Sequence, residues 1–148
     1  MTTTLAEFWL QGELPIHNGL YLADGRAWSV ELDAHALGGL RLTDPFDVTA
    51  FLTERPERVT SFVVSKMARL DAGGGYLCCG EGSWGSEGMF ARLSDDREPV
   101  WAVYLELSNP FVDVEVLKSV ACFASSSGVH ITVDVTEPEF ALAAWPSR

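Results

Sequence analysis

Glycines at 80, 82 and 85 make one Gly-x-Gly-x-x-Gly run, Gly80-Glu81-Gly82-Ser83-Trp84-Gly85. In a dinucleotide site such a run closes a strand and opens a helix whose first N–H groups hold a pyrophosphate. Residues 89–93 read as strand instead, no βαβ crossover follows, and Glu81 and Glu87 would repel a phosphate. The run therefore predicts a glycine-rich β-hairpin. Ser86 sits in Gly85-Ser86-Glu87-Gly88, one residue short of a Gly-x-Ser-x-Gly nucleophile elbow, and the strand-to-helix turn is again missing. Ser125, Ser126 and Ser127 fall in a turn, where hydroxyls bond the nearby backbone. No serine shows a histidine partner in the sequence. His130 is expected on the polar face of a strand, where the role open to an imidazole is that of a base near neutral pH.

Metal chemistry is poorly served. His17, His35 and His130 are scattered, and Cys78, Cys79 and Cys122 form no Cys-x-x-Cys pair, so neither a metal nor a cofactor is expected. Adjacent Cys78 and Cys79 would point to opposite faces of a strand, and reduced, mostly buried thiols follow. The dense Asp-x-Asp-x-Asp-Gly run of a calcium loop is absent. What remains is carboxylates. Glu81 and Glu87 share the glycine-rich loop; Asp95, Asp96 and Glu98 share a hairpin tip. Such groups do acid and base work only where a pocket separates their pKa values; on loop tips they are solvated or meet a cationic partner. Trp84 lies between them as a candidate apolar anchor.

The whole chain has 148 residues, 47% hydrophobic and 21% charged, which fits one globular domain spanning 1–148. Its net charge is −11, with a pI of about 4.5. Nucleic acid and anionic lipid are approached through basic surfaces, so both are excluded as nonspecific partners, whereas a basic protein is permitted. The charge is uneven: residues 70–147 carry 12 acidic and 3 basic residues, a net of −9, against −3 for residues 1–69. The N-terminus lacks a basic, apolar leader and no apolar run is long enough to span a membrane, so a cytoplasmic location is expected. Oligomeric state has no signal.

The elements that must hold these residues are mostly strands. Val112 to Val116 and Val129 to Val135 alternate apolar with polar, predicting strands with one face in a core and the other in water. Residues 120–124 form a third strand between them, completing a meander. Residues 89–93 and 100–107 flank the polar stretch 94–98 as a hairpin, and the second of these, apolar on both faces, should be central. Residues 28–32, 59–67 and 76–79 bring the total to about eight. Three short helices are expected. The first is capped by Thr4 and Glu7 and ended by Gly12; the second starts at Asp44-Pro45 and stops before Pro56; the third covers Phe140 to Trp145. The predicted fold is mainly β: a single-domain antiparallel sheet in a sandwich, roll or partly open barrel, with α+β as the alternative.

Gly82-Ser83-Trp84-Gly85-Ser86-Glu87-Gly88, Trp101, Ser108-Asn109-Pro110-Phe111 and Thr136-Glu137-Pro138-Glu139 together resemble a pattern in small bacterial proteins. The pattern is similar to that of immunity-type partners of polymorphic and contact-dependent toxins. The resemblance covers residues 80–139 and rests on turn chemistry; it implies an acidic cytoplasmic inhibitor and carries over no inhibitory residue. From the residues themselves, the leading expectation is a non-enzymatic protein-binding module. Glu81, Trp84, Glu87, Asp95, Asp96 and Glu98 would cover a cationic site on a partner such as a nuclease toxin. The alternative is a β-barrel or sandwich with a small-molecule or catalytic pocket lined by Trp28, Tyr76, Trp101 and Tyr104, with His130 or a carboxylate at its mouth.

Overall fold

A computed structural model describes residues 4–71 and 74–146. The Thr4 hydroxyl accepts the Glu7 N–H at 3.3 Å and starts α1 (Leu5–Gln11), which Gly12 ends in the left-handed conformation. The Glu7 carboxylate meets the Thr4 hydroxyl at 3.3 Å, so the cap is closed between side chains. Then come β1 (Glu13–Pro15), β2 (Gly19–Leu22), β3 (Ala27–Leu32), a 3-10 turn (Leu37–Gly39), β4 (Leu40–Pro45) and α2 (Val48–Glu54). The rest of the described chain is β5 (Val59–Ser61), β6 (Val63–Arg69), β7 (Tyr76–Glu81), β8 (Gly88–Leu93), β9 (Pro99–Leu105), β10 (Phe111–Leu117), β11 (Val120–Ser125) and β12 (His130–Asp134).

The architecture is mainly β. Seven strands pair antiparallel in the order β4-β3-β2-β9-β8-β7-β6, with β9 central, as its two apolar faces require. The sheet keeps two edges and does not close into a barrel. The meander β10-β11-β12 forms a separate three-stranded sheet, and β1 with β5 a two-stranded ribbon.

Period-two alternation gives the large sheet two cores. Phe90, Trp101, Val103 and Leu105 point to one face and meet Phe111, Phe123, Ile131 and Val133 of the meander. There Phe90 stacks on Phe123 with ring centroids 4.5 Å apart. Cys78, Met89, Ala91, Ala102 and Tyr104 point to the other face, beneath α1, the ribbon and the start of α2. Neither helix exceeds seven residues, so each depends on this packing.

Four expectations need correction. The 59–67 strand is two, because the chain leaves the ribbon at Phe62, whose N–H bonds the Gly12 carbonyl at 2.9 Å, before entering the large sheet. The second helix begins later: Pro45 closes β4, and Asp47, accepting the Ala50 N–H at 3.0 Å, caps α2. The third helix does not form. Residues 141–143 are extended along β12, with Ala143 N–H on the Thr132 carbonyl at 3.0 Å and Asp134 N–H on the Ala141 carbonyl at 2.8 Å. An open strand edge between two prolines satisfies this segment better than a single helical turn. Finally, β10 does not bury all its valines: Val112 stands exposed at a bulge between Phe111 and Asp113, and Val116, though in regular register with the buried Val114, is exposed as well.

Candidate functional site

Consecutive hairpin loops leave a sheet at opposite ends. The 82–87 loop joins β7 to β8 and the 94–98 loop joins β8 to β9, so the six residues of β8, about 20 Å of strand, separate them. Glu81 and Trp84 therefore stand at one end of the molecule, and Asp95, Asp96 and Glu98 at the other.

At the far end the hairpin forms as expected, with Ser94 N–H on the Glu98 carbonyl at 2.8 Å. Asp95 is an internal acceptor as well as an exposed acid, taking the Gly75 N–H at 2.7 Å. Arg97 lies over the Tyr76 ring at 5.1 Å and adds a positive charge between the acids.

The near end differs from the expectation in one residue. Glu87 is 1% exposed and is not a surface contact. Its Oε1 accepts the Trp84 N–H at 2.9 Å and the Thr60 hydroxyl at 3.0 Å, and its Oε2 accepts the Tyr104 hydroxyl. Thr60 in turn accepts the Ser83 N–H at 3.0 Å. Burial, and then the Glu87 carboxylate, push the Tyr104 phenol far above its ordinary value, so it stays a hydrogen-bond donor. A buried carboxylate thus holds the loop from beneath, as burial demands of a charged group. Trp84 projects from this loop 66% exposed, and Glu81 is half-buried beside it at the end of β7.

Beside Trp84 the surface is grooved. A hollow of about 410 Å³ is lined by Trp84, Glu87, Glu57, Arg58 and Glu106, with Ile16 and Val59 supplying apolar wall. Arg58 pairs with Glu106 at 3.3 Å and bonds the Ile16 carbonyl at 3.1 Å. Across that pair lies a cleft of about 650 Å³ lined by His17, Asn18, Ser29, Phe51 and Arg55, sharing Arg58 and Glu106. Here the structure makes a pairing that spacing did not reveal: His17 Nε2 and Ser29 Oγ are 2.9 Å apart. No sequence motif marks it, because the β2–β3 hairpin creates it by setting Gly19 opposite Ser29.

Trp28, Tyr76, Trp101 and Tyr104 do not line one common pocket. Trp101 and Tyr104 are three residues apart on β9 and point into different cores, which side chains fill; Trp28 and Tyr76 divide between the same two cores. His130 is exposed as expected, but it faces a separate hollow of about 480 Å³ with Gly39 and Trp145. The Gly-x-Gly-x-x-Gly run is the β7–β8 hairpin, with no helix after it. All three thiols are free. Cys78 and Cys79 are buried on opposite faces, and burial first of all pushes them up to about 12 and about 11, which leaves both unreactive. Among the described residues no group of three or more His, Cys, Asp or Glu could hold a metal ion, and no helix is long and apolar enough to cross a membrane.

The fold and site define a mainly antiparallel β protein with a grooved, aromatic-tipped end. No family model, no curated protein and no solved structure matches the chain.

Proposed function

We propose that the chain is a protein-binding module whose near end, built around Trp84 and Glu81, engages a basic protein in the manner of an immunity-type inhibitor covering a toxin's cationic site. The observation that carries this reading is Trp84: a large aromatic side chain, 66% exposed, on a loop fixed by the buried Glu87. An exposed tryptophan on a rigid support gives an interface area with little ordering cost. Around it Glu81, Glu57 and Glu106 provide carboxylates suited to a partner's lysines and arginines. Glu87 supports that surface without contacting the partner. Asp95, Asp96 and Glu98 contribute only through their long-range field.

The test is direct binding to the products of the genes adjacent to this chain's gene, by titration calorimetry at two salt concentrations, with a basic protein the expected partner. Trp84→Ala should weaken the complex by at least about tenfold, equivalent to about 1.4 kcal/mol. Raising salt should weaken it further, mainly through the association rate. A complex indifferent to both Trp84→Ala and salt, or no complex, would overturn the reading.

A further inference from the structure

His17 follows β1, and Ser29 lies within β3, twelve residues further on. The fold brings them to one wall of the 650 Å³ cleft and then fixes the imidazole on several sides. Phe46 packs against it with centroids 4.2 Å apart, Phe51 meets it edge-on at 5.0 Å, and the Tyr21 hydroxyl donates to the His17 carbonyl at 2.7 Å. Ser29 is equally constrained, since its carbonyl accepts the Thr43 hydroxyl at 3.1 Å and its backbone belongs to the sheet. A serine hydroxyl held at hydrogen-bond distance from a half-buried imidazole, both facing an open cleft, is the arrangement of a nucleophile and its base.

We propose that Ser29 is an activated nucleophile with His17 as its general base, and that the cleft accepts small acyl esters whose acyl group carries a carboxylate. This activity is independent of the protein-binding reading. The charged groups around the imidazole set its state. Burial and Arg58 lower the His17 pKa, Glu106 opposes them, Arg55 lowers it further, and Glu57 lines the same cleft. The ring is therefore neutral at pH 7 and able to take a proton. Asn18 is oriented by the Glu106 N–H, which its Oδ1 accepts at 2.7 Å, and its amide NH2 is a neutral donor for a developing oxyanion. Arg55 and Arg58 carry more N–H donors than their internal bonds use, which gives the acyl carboxylate a place to bind.

In the first step Ser29 Oγ bonds to the ester carbonyl carbon while its proton moves to His17 Nε2. The carbon–oxygen bond to the leaving alcohol then breaks, and that oxygen takes the proton from Nε2. Water reverses the sequence: its oxygen bonds to the acyl carbon as its proton moves to Nε2, the bond between that carbon and Ser29 Oγ then breaks, Oγ takes the proton from Nε2, and the free acid leaves.

The experiment uses the intact protein with p-nitrophenyl acetate and with the p-nitrophenyl monoester of succinic acid, read by nitrophenol release and by peptide mass mapping. One acyl group should appear on Ser29, faster from the succinyl ester. The rate should fall as pH drops and His17 becomes protonated. Ser29→Ala should abolish the adduct, His17→Gln should slow it about 100-fold with Ser29 still present, and Arg55→Gln should erase the preference for the succinyl ester. No adduct on Ser29 of the folded wild-type protein would overturn the proposal, and so would an equal rate in a folded His17→Gln variant. The wild-type labelling stands even if a variant fails to fold.

Discussion

Glu87, 1% exposed, receives three hydrogen bonds, from the Trp84 N–H and the Thr60 and Tyr104 hydroxyls. Removing the carboxylate leaves all three donors without it, so Glu87→Ala should cost about 3 kcal/mol in urea unfolding. Glu87→Gln keeps a carbonyl oxygen for Thr60 and Trp84 but sets an NH2 group against the Tyr104 hydroxyl, for a smaller loss of about 1–2 kcal/mol. His17 gives a prediction of a different kind. Its pKa lies below the ordinary 6.5, mainly through burial, so the unfolded chain takes up the proton before the folded one does. Stability from this group is complete above about pH 6.5 and declines as pH falls below it, until the folded histidine also titrates. Urea midpoints measured between about pH 7.5 and pH 5.5 should fall with acidification, and His17→Gln should flatten that slope.

Among the strands, the glycines of the 80–85 run divide by what surrounds them. A Cβ on Gly80 would stand 1.9 Å from the Val63 carbonyl oxygen, where the β6 bulge brings two backbones together. A Cβ on Gly82 would stand 2.2 Å from Glu87 Oε1, while one on Gly85 would meet nothing within 4 Å. Gly80→Ala should therefore separate β6 from β7 at a cost of about 3 kcal/mol, whereas Gly85→Ala should stay within about 0.5 kcal/mol of wild type. Thermal unfolding of the two variants side by side checks this. A nucleotide-binding role would instead leave stability untouched at Gly80 and impair ligand binding. Gly80 and Gly82 therefore report close packing, and Gly85 does not.

Across the whole molecule, the loop acids of the second half stand at two ends of one sheet, Glu81 at one and Asp95, Asp96 and Glu98 at the other. Their separation of about 20 Å exceeds the roughly 8 Å Debye length at physiological salt. Charge reversal at the two ends should then have unequal effects on association with a basic partner. Near physiological salt, Glu81→Lys should slow it by about tenfold, and the double variant Asp95→Lys/Asp96→Lys by no more than about threefold. Stopped-flow association rates distinguish the two, and the opposite ranking would move the binding surface to the 94–98 hairpin.

Local signals carried much of this fold. The strand runs 89–93 and 120–124, the alternation over 129–135, the Thr4 cap, the Gly12 stop and the 94–98 turn all depend on residues within a few positions of one another, so the amino-acid sequence alone determined them. Tertiary structure decided the rest. Residues 140–145 carry helix-compatible residues, yet the free edge of β12 draws them into extended backbone. Glu87 reads as a loop acid, and only the approach of Thr60 from the ribbon and Tyr104 from β9 makes it a buried acceptor. His17 and Ser29 meet because the β2–β3 hairpin register places them side by side. Strand register and sheet order are set by long-range burial, which no short window of sequence contains.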